Sequence, residues 1–177
     1  EDRQELLALL EKGLAHDPDD FNCLDYKAWL LKRDKHFDEA LEIYLKLEQY
    51  PHHALSVEQE LAEIYYRDLS CNADKALHYY QRLLAHEETG DLHFYAGTCR
   101  RYLHDFDGAE KDFLREQELE PDDIDGYKGL SLVYQYAKKY PQALAQAEKV
   151  LEMVREKDGD QTEHYYRAVH ILRRMGR

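Results

Sequence analysis

A short motif recurs along the chain at nearly constant spacing. Each copy closes on an alanine, and the four alanines are Ala40, Ala76, Ala109 and Ala143, which are 36, 33 and 34 residues apart. A period of this size predicts stacked supersecondary units, each packed on its sequence neighbours, instead of one conventional globular core. Such a stack presents an extended surface, which favours a binding role.

Each alanine begins an amphipathic pattern with helical spacing. An aromatic or small residue follows four positions later, in order Tyr44, Tyr80, Phe113 and Ala147. Residues four apart share a helix face, where the small side chain lets a neighbouring helix approach and a ring fills the space beside it. A second amphipathic segment precedes each alanine, so every unit is predicted to be a pair of helices.

The segment before Ala109 allows two registers. In one register, four residues with helical spacing form the packing face: Leu92, Tyr95, Ala96 and Cys99. In the other register, Gly97 holds the small-residue position. Both keep the segment helical, and the sequence leaves the choice open.

The last full unit carries the most complete pattern. Tyr127, Leu130, Ser131 and Tyr134, followed by Ala143 and Ala147, resemble the W-x2-L-G-x2-Y and A-x3-F positions of the tetratricopeptide repeat (TPR) family. The resemblance covers nearly the whole chain and implies an all-α protein, a right-handed superhelix of helix-turn-helix repeats. Two departures are Lys27 at an apolar position and two extra residues around 70–72.

We expect residues 1–177 to form one solenoid. Pro18 and Pro121 fill the inter-repeat position, and the two aspartates after each can cap the next helix. The predicted units are a half repeat (1–17), four full repeats (20–52, 54–88, 90–121 and 123–157) and a terminal capping helix (161–175). The incomplete end units and the missing initiating Met favour a segment of a longer protein, and a natural domain with capping end helices is the alternative.

Composition restricts the partners. With a formal net charge of −13, the chain repels phosphate backbones and anionic lipid, so neither nucleic acid nor a membrane surface is expected. Cys23, Cys71 and Cys99 form no CxxC pair. They are predicted to be free thiols in a reducing, cytoplasmic compartment, filling small apolar positions.

The resemblance places candidate partner-binding residues on the first helix of each unit, which lines the concave face in that family. The candidates are the positions on these helices that packing leaves free: Asp25, Trp29, Lys32, Arg33, Gln59, Glu63, Tyr66, Arg67, His93 or Phe94, Arg100, Arg101, Lys128, Leu132, Gln135 and Tyr136. Aromatic residues recur in this set. A basic residue also recurs near the end of each helix.

The basic row has two interpretations. It is either a strip for an acidic peptide, since arginine grips carboxylates with two parallel bonds, or a set of charges that complement helix C-termini. The sequence favours neither of two roles for Trp29, which is either a binding anchor or a core residue. The carboxylate clamp of family members that bind chaperone C-termini is not reproduced, because Asp25 and Glu63 stand on the face where lysine and asparagine are required.

The sequence gives little sign of catalysis. It contains no HExxH, GxSxG, GxxxxGK[ST] or GxGxxG motif, and its histidines lack metal-ligand spacing. We therefore expect no catalytic residue, no cofactor and no metal. The predicted function is a scaffold or adaptor module that binds a peptide or helix of a partner protein. The alternatives are a regulatory or co-chaperone segment of a larger protein, or a solenoid that dimerises through a terminal helix.

Overall fold

A computed structural model describes residues 2–156 and 160–176. Within these ranges the chain forms ten α-helices, no strand and one 3₁₀ turn at Pro51–His53, which confirms the predicted all-α class. The helices are α1 (Asp2–His16), α2 (Phe21–Arg33), α3 (Phe37–Leu47), α4 (Ala54–Tyr66), α5 (Leu69–His86), α6 (Gly90–Tyr102), α7 (Phe106–Leu119), α8 (Asp125–Tyr136), α9 (Tyr140–Glu156) and α10 (Thr162–Arg174).

Each helix packs chiefly on the helices before and after it. The core is correspondingly divided into two clusters, one contributed mainly by α2 to α6 and the other mainly by α7 to α10. All four motif alanines are fully buried, at 0% exposure, which explains why the motif needs a small residue there. The division into half and full repeats stays a prediction, and its limits at residues 1, 157 and 177 lie outside the described residues.

Three of the helix pairs share one turn geometry. Lys35, His104 and Lys138 have positive φ angles of 68°, 61° and 59°. Each is the second residue after the end of its helix, α2, α6 or α8. The next residue donates its backbone N–H to a carbonyl of the last helical turn, for example Lys139 to Tyr134 at 2.8 Å. Such a left-handed residue with a backward hydrogen bond satisfies carbonyls that the helix end leaves free.

The helix starts are capped as expected after Pro18. The Asp20 carboxylate accepts a hydrogen bond from the Cys23 backbone N–H at 2.7 Å. After Pro121, the Asp123 carboxylate accepts from the Asp125 N–H at 2.9 Å. Both carboxylates lie at the positive end of a helix, where a negative charge is stabilising.

Helix α5 begins differently. It carries a kink at Asn72, whose φ of −129° and ψ of 17° are not helical. The kink coincides with the segment 70–72, where the sequence places the two extra residues of this unit. Beyond it, Ala76 and Tyr80 are buried, as their counterparts are in the neighbouring units.

Phe113 of α7 decides the register of α6. Its ring is fully buried, and a Cβ atom added to Gly97 would lie 3.1 Å from it. A Cβ atom on Gly129 of α8 would overlap the same ring. Of the two registers allowed by the sequence, the structure therefore favours Gly97 as the small residue. Ser131, 34 residues later, occupies the equivalent place and donates its hydroxyl hydrogen bond to the Ala143 carbonyl of α9 at 2.9 Å.

The three cysteines are free but differ in burial. Cys99 is buried, Cys23 is half-buried and Cys71 is exposed. The expectation that cysteines fill small apolar positions is therefore wrong for Cys71, which lies exposed in the first turn of α5, just before the kink. Among the described helices, none is both long enough and apolar enough to cross a bilayer.

Candidate functional site

Three adjoining cavities run along α4, α6, α8 and α10, and together they form what we call the groove. The tyrosine cavity, between α4, α5 and α6, has a volume of about 470 Å³. The basic cavity, which extends from α4 across α6 and α8 to α10, has about 390 Å³, and the terminal cavity, between α8 and α10, about 340 Å³. Tyr66 lines the first two and Leu132 the last two, so the cavities are neighbours along the stack.

The basic cavity brings together four cationic side chains and one acidic one. Arg67, Arg101, Lys128 and Arg167 line it, with Asp125. Lys128 pairs with Asp125 at 3.0 Å. The guanidinium groups of Arg67 and Arg101 instead lie over aromatic rings, 3.5 Å from the Phe37 centroid and 4.6 Å from the Tyr102 centroid. Among the described residues, neither arginine has a carboxylate within 4.0 Å.

The basic cavity also has aromatic rings in its wall, and one of its hydrogen-bond donors is unsatisfied. Phe94 lies against Phe113, with ring centroids 6.0 Å apart. Arg167 pairs one terminal nitrogen with Glu163 at 3.2 Å, while its other terminal nitrogen, Nη1, is buried with no hydrogen-bond partner among the described residues. A buried donor without an acceptor is costly, so an acceptor supplied by a ligand is stabilising here.

The tyrosine cavity has the opposite charge. Its described lining includes the carboxylates of Glu63, Glu87 and Asp91 and no lysine, arginine or histidine. The rings of Tyr66, Tyr80 and Tyr95 complete much of its wall. The terminal cavity is basic again, with Lys138, His170 and Arg174 beside Tyr136 and Tyr140.

Most of the sequence-predicted candidates line the groove. Ten of them do: Gln59, Glu63, Tyr66, Arg67, Phe94, Arg101, Lys128, Leu132, Gln135 and Tyr136. Between His93 and Phe94, the structure places Phe94 in the basic cavity. The His93 ring instead contacts carboxylates of Asp112 and Glu88 at 3.2 and 3.1 Å.

Arg100 lies outside the three cavities, and its role in binding stays a prediction. It was expected on the groove face, but its guanidinium pairs with Asp112 of α7 and lies 3.7 Å from Asp105. Asp112 is buried, so this pair joins α6 to α7 within one unit. Arg100 lies one residue before the groove arginine Arg101, and a helix turns by about 100° per residue, so the two point to different sides.

The four candidates on α2 lie outside the three cavities. Lys32 pairs with Glu60 and, at 2.8 Å, with Glu63 of α4. The Arg33 guanidinium lies 5.0 Å from the ring centroid of Trp29, which is 39% exposed. Asp25 is half-buried, and its burial raises the pKa of its carboxyl, opposed by the neighbouring His53. Their role in binding stays a prediction.

Sequence reasoning missed several residues that line the groove. They are Tyr80, Glu87, Asp91, Tyr95, Thr98, Tyr102, Asp125 and Arg167. The repeat period offered a signal for some of them, because residues one period apart occupy equivalent positions. Thr98 lies 34 residues before Leu132, and Tyr102 lies 34 residues before Tyr136. Tyr80 and Tyr95 had been assigned to packing alone.

Metal binding finds no support within the described residues. No group of three or more histidine, cysteine, aspartate or glutamate side chains is placed to hold an ion. The groove therefore offers charge, aromatic surface and shape to a ligand.

Comparison with known proteins identifies the fold. No protein-family model and no curated protein matches the chain. Among solved structures, MamA 41-end from Desulfovibrio magneticus RS-1 is 15% identical over 88% of each chain, with a TM-score of 0.78. A tetratricopeptide repeat protein from Parabacteroides merdae is 19% identical over 99% of this chain and 69% of its own, with a TM-score of 0.79. A thermophilic TPR protein in Thermus thermophilus is 23% identical over 94% of this chain and 88% of its own, with a TM-score of 0.63.

The chain thus has the fold of the tetratricopeptide repeat proteins, an α-α solenoid. This confirms the fold class that the resemblance to this family implied.

Proposed function

We propose that this chain is a non-catalytic protein-interaction module that binds an acidic peptide or helix of a partner protein in the groove. One observation carries the proposal. In a chain with a net charge of −13, Arg67 and Arg101 lie together in an open cavity with no carboxylate in ion-pair range among the described residues. Several other basic side chains in the described part of the solenoid pair with acidic neighbours, as Lys32 and Arg100 do.

The geometry of the basic cavity suits a carboxylate-bearing segment. Guanidinium groups bind carboxylates through two parallel hydrogen bonds, and aromatic rings such as Phe94 and Tyr66 supply apolar anchors beside them. The side chains project from packed helices, so little conformational freedom is lost when a ligand binds.

A charge-reversal experiment tests this proposal. A displayed library of random 12-residue peptides is panned on the wild-type chain, and the enriched peptides are synthesised and measured by fluorescence anisotropy. We expect them to be acidic and to bind the variant Arg101→Glu/Lys128→Glu at least about tenfold more weakly, as is typical for opposed charge pairs at an interface. The matched control is Lys12→Glu/Lys111→Glu, which changes the net charge equally at exposed positions on α1 and α7.

Two results would contradict the proposal. One is the absence of any enriched peptide. The other is an equal loss of affinity in the groove variant and in the control, which would mean that overall charge and not the cavity governs binding. Circular dichroism of each variant checks that it is folded.

The wider setting of the module is also a proposal. As in the sequence-based alternatives, the groove of a regulatory or co-chaperone segment would hold another part of a larger protein. That part of the larger protein would also have to be acidic to fit the basic cavity, so the peptide experiment tests this alternative as well.

Self-association through a terminal helix is a second proposal, favoured by one feature of α10. Tyr165, Tyr166 and Val169 are 55%, 74% and 59% exposed, which is unusual for large apolar side chains grouped on one helix. We expect light scattering to show a mass that rises with concentration, and Tyr166→Ser/Val169→Ser to abolish the rise. A monomer at every concentration would remove this proposal.

A further inference from the structure

The tyrosine cavity is built around three rings from three helices. Tyr80 of α5 and Tyr95 of α6 are nearly parallel, with centroids 5.1 Å apart and planes 16° apart. Tyr66 of α4 is nearly perpendicular to both, 5.9 Å from Tyr80 and 5.0 Å from Tyr95. Because each ring belongs to a different packed helix, the arrangement is fixed by the fold before any ligand arrives.

Acidic side chains surround these rings. Glu63 shares its carboxylate with Lys32, at 2.8 Å. Glu87, which follows the last residue of α5, and Asp91, in the first turn of α6, are exposed. Neither has an ion-pair partner within 4.0 Å among the described residues. Two free carboxylates therefore stand beside aromatic surface.

The titration of the tyrosines agrees with a negative potential in this cavity. Burial raises the pKa of Tyr95, and the nearby Asp91 and Glu63 raise it further. The pKa of Tyr80 is also raised, mainly by burial, with a contribution from Glu63. The same field that disfavours a tyrosinate favours a cation.

We propose that the tyrosine cavity binds a lysine or arginine side chain of the segment whose acidic part occupies the basic cavity. A cation gains from the faces of aromatic rings within about 6 Å, and the carboxylates of Glu87 and Asp91 complement its charge. This inference rests on the proposed function, since both cavities are to hold one segment. It also gives the bound segment a direction along the groove, because the basic residue of the segment lies against α4 to α6 and its acidic residues lie against α6 to α8.

The order of charges along the groove gives the bound segment one direction. Tyr66 lies at the boundary, lining both cavities. A segment placed in reverse would bring its basic residue to Arg67 and Arg101 and its acidic residues to Glu87 and Asp91. Like charges would then meet at both positions, which costs affinity and excludes that orientation.

Small probes test each cavity separately. The ¹⁵N-labelled chain is titrated with Nα-acetyl-L-lysine N-methylamide and, in a parallel series, with Nα-acetyl-L-glutamate N-methylamide, while amide resonances are followed by NMR. We expect the lysine probe to shift residues around Tyr66, Tyr80 and Tyr95 most strongly. The glutamate probe should shift residues around Arg101 and Lys128.

Variants then identify the groups responsible. In Glu87→Gln/Asp91→Asn the lysine probe should bind about fivefold more weakly, in line with the modest strength of single cation contacts at a protein surface. The control Glu42→Gln/Asp107→Asn removes two exposed carboxylates from α3 and α7 and should leave the affinity unchanged.

The outcomes separate the two proposals. The cation site is overturned if the lysine probe shifts residues at all acidic surfaces alike, or if it binds both variants with equal affinity. In either case the acidic-segment proposal is still tested by the glutamate probe. A glutamate probe that fails to shift the basic cavity overturns the proposed function, whatever the lysine probe does.

Discussion

Phe113→Ala is expected to lower the free energy of unfolding by about 3 to 5 kcal/mol, the range for removing a fully buried aromatic side chain. The ring is completely buried in a slot between α6 and α8, against Gly97 and Gly129. Because neither glycine has a side chain that can move into the space, the slot has little means of closing. The cost should therefore lie toward the upper end of the range. Urea unfolding followed by circular dichroism measures it.

The neighbouring residue provides the control. Leu114 is 42% exposed, and Leu114→Ala should cost less than about 1 kcal/mol. Phe113→Leu, which keeps much of the volume, should fall between the two. If Phe113→Ala cost no more than Leu114→Ala, the ring would not be the element that joins α6, α7 and α8.

Glu116→Gln is expected to have the opposite effect on stability, because it should raise the free energy of unfolding above neutral pH. The Glu116 side chain is buried, and one of its carboxylate oxygens has no hydrogen-bond partner among the described residues. Burial, with help from Asp123, Glu120 and Asp125, raises the pKa of this carboxyl to about 7, against the opposing effect of the Gly126 N–H. The folded state therefore holds a proton that the unfolded state releases near its ordinary value of 4.5.

The direction of the pH effect on stability follows from this difference in pKa between the folded and unfolded states. Below pH 4.5 the carboxyl is protonated in both states and costs nothing through ionisation. As pH rises toward 7 the folded state loses stability, and above 7 the full penalty remains. Removing this penalty is worth about 3 to 4 kcal/mol, since one pKa unit corresponds to about 1.4 kcal/mol. Urea unfolding at pH 4, 5.5, 7 and 8.5 should show a stability gain that grows with pH and then levels off.

Glu118→Gln serves as the comparison on the same helix. The Glu118 side chain is 65% exposed and pairs with Arg115, so its replacement should change stability little at any pH. A gain in Glu116→Gln that did not depend on pH would indicate better packing of the amide and would argue against a buried, proton-sensitive carboxyl.

The repeat period and the helical spacing around it were enough to predict a stack of helix pairs. Ala40, Ala76, Ala109 and Ala143 are all buried where helices approach closely, so a spacing visible in the sequence reports directly on packing. The choice between Ala96 and Gly97 could not be made in the same way. It depends on the Phe113 ring of the following helix, and a helical pattern alone does not say which helix a given face meets.

The groove was only partly predictable, for a related reason. A position on a helix face can be placed from its spacing, and Tyr66, Arg101 and Lys128, which were named from their spacing, line one cavity. Whether a charged group there is free depends on side chains from other helices. Lys32 is neutralised by α4 and Arg100 by α7, whereas Arg101 is not, and these differences arise only when the helices stack.

The kink in α5 shows how this architecture tolerates change in chain length. The solenoid keeps its order through the contacts of Ala76 and Tyr80 and not through a fixed number of residues, so the surplus around Asn72 is confined to one corner. Evolution can lengthen such a corner without rebuilding the neighbouring layers. For protein engineers, the same corner is a place to graft an epitope or a reporter loop while the rest of the stack stays in register.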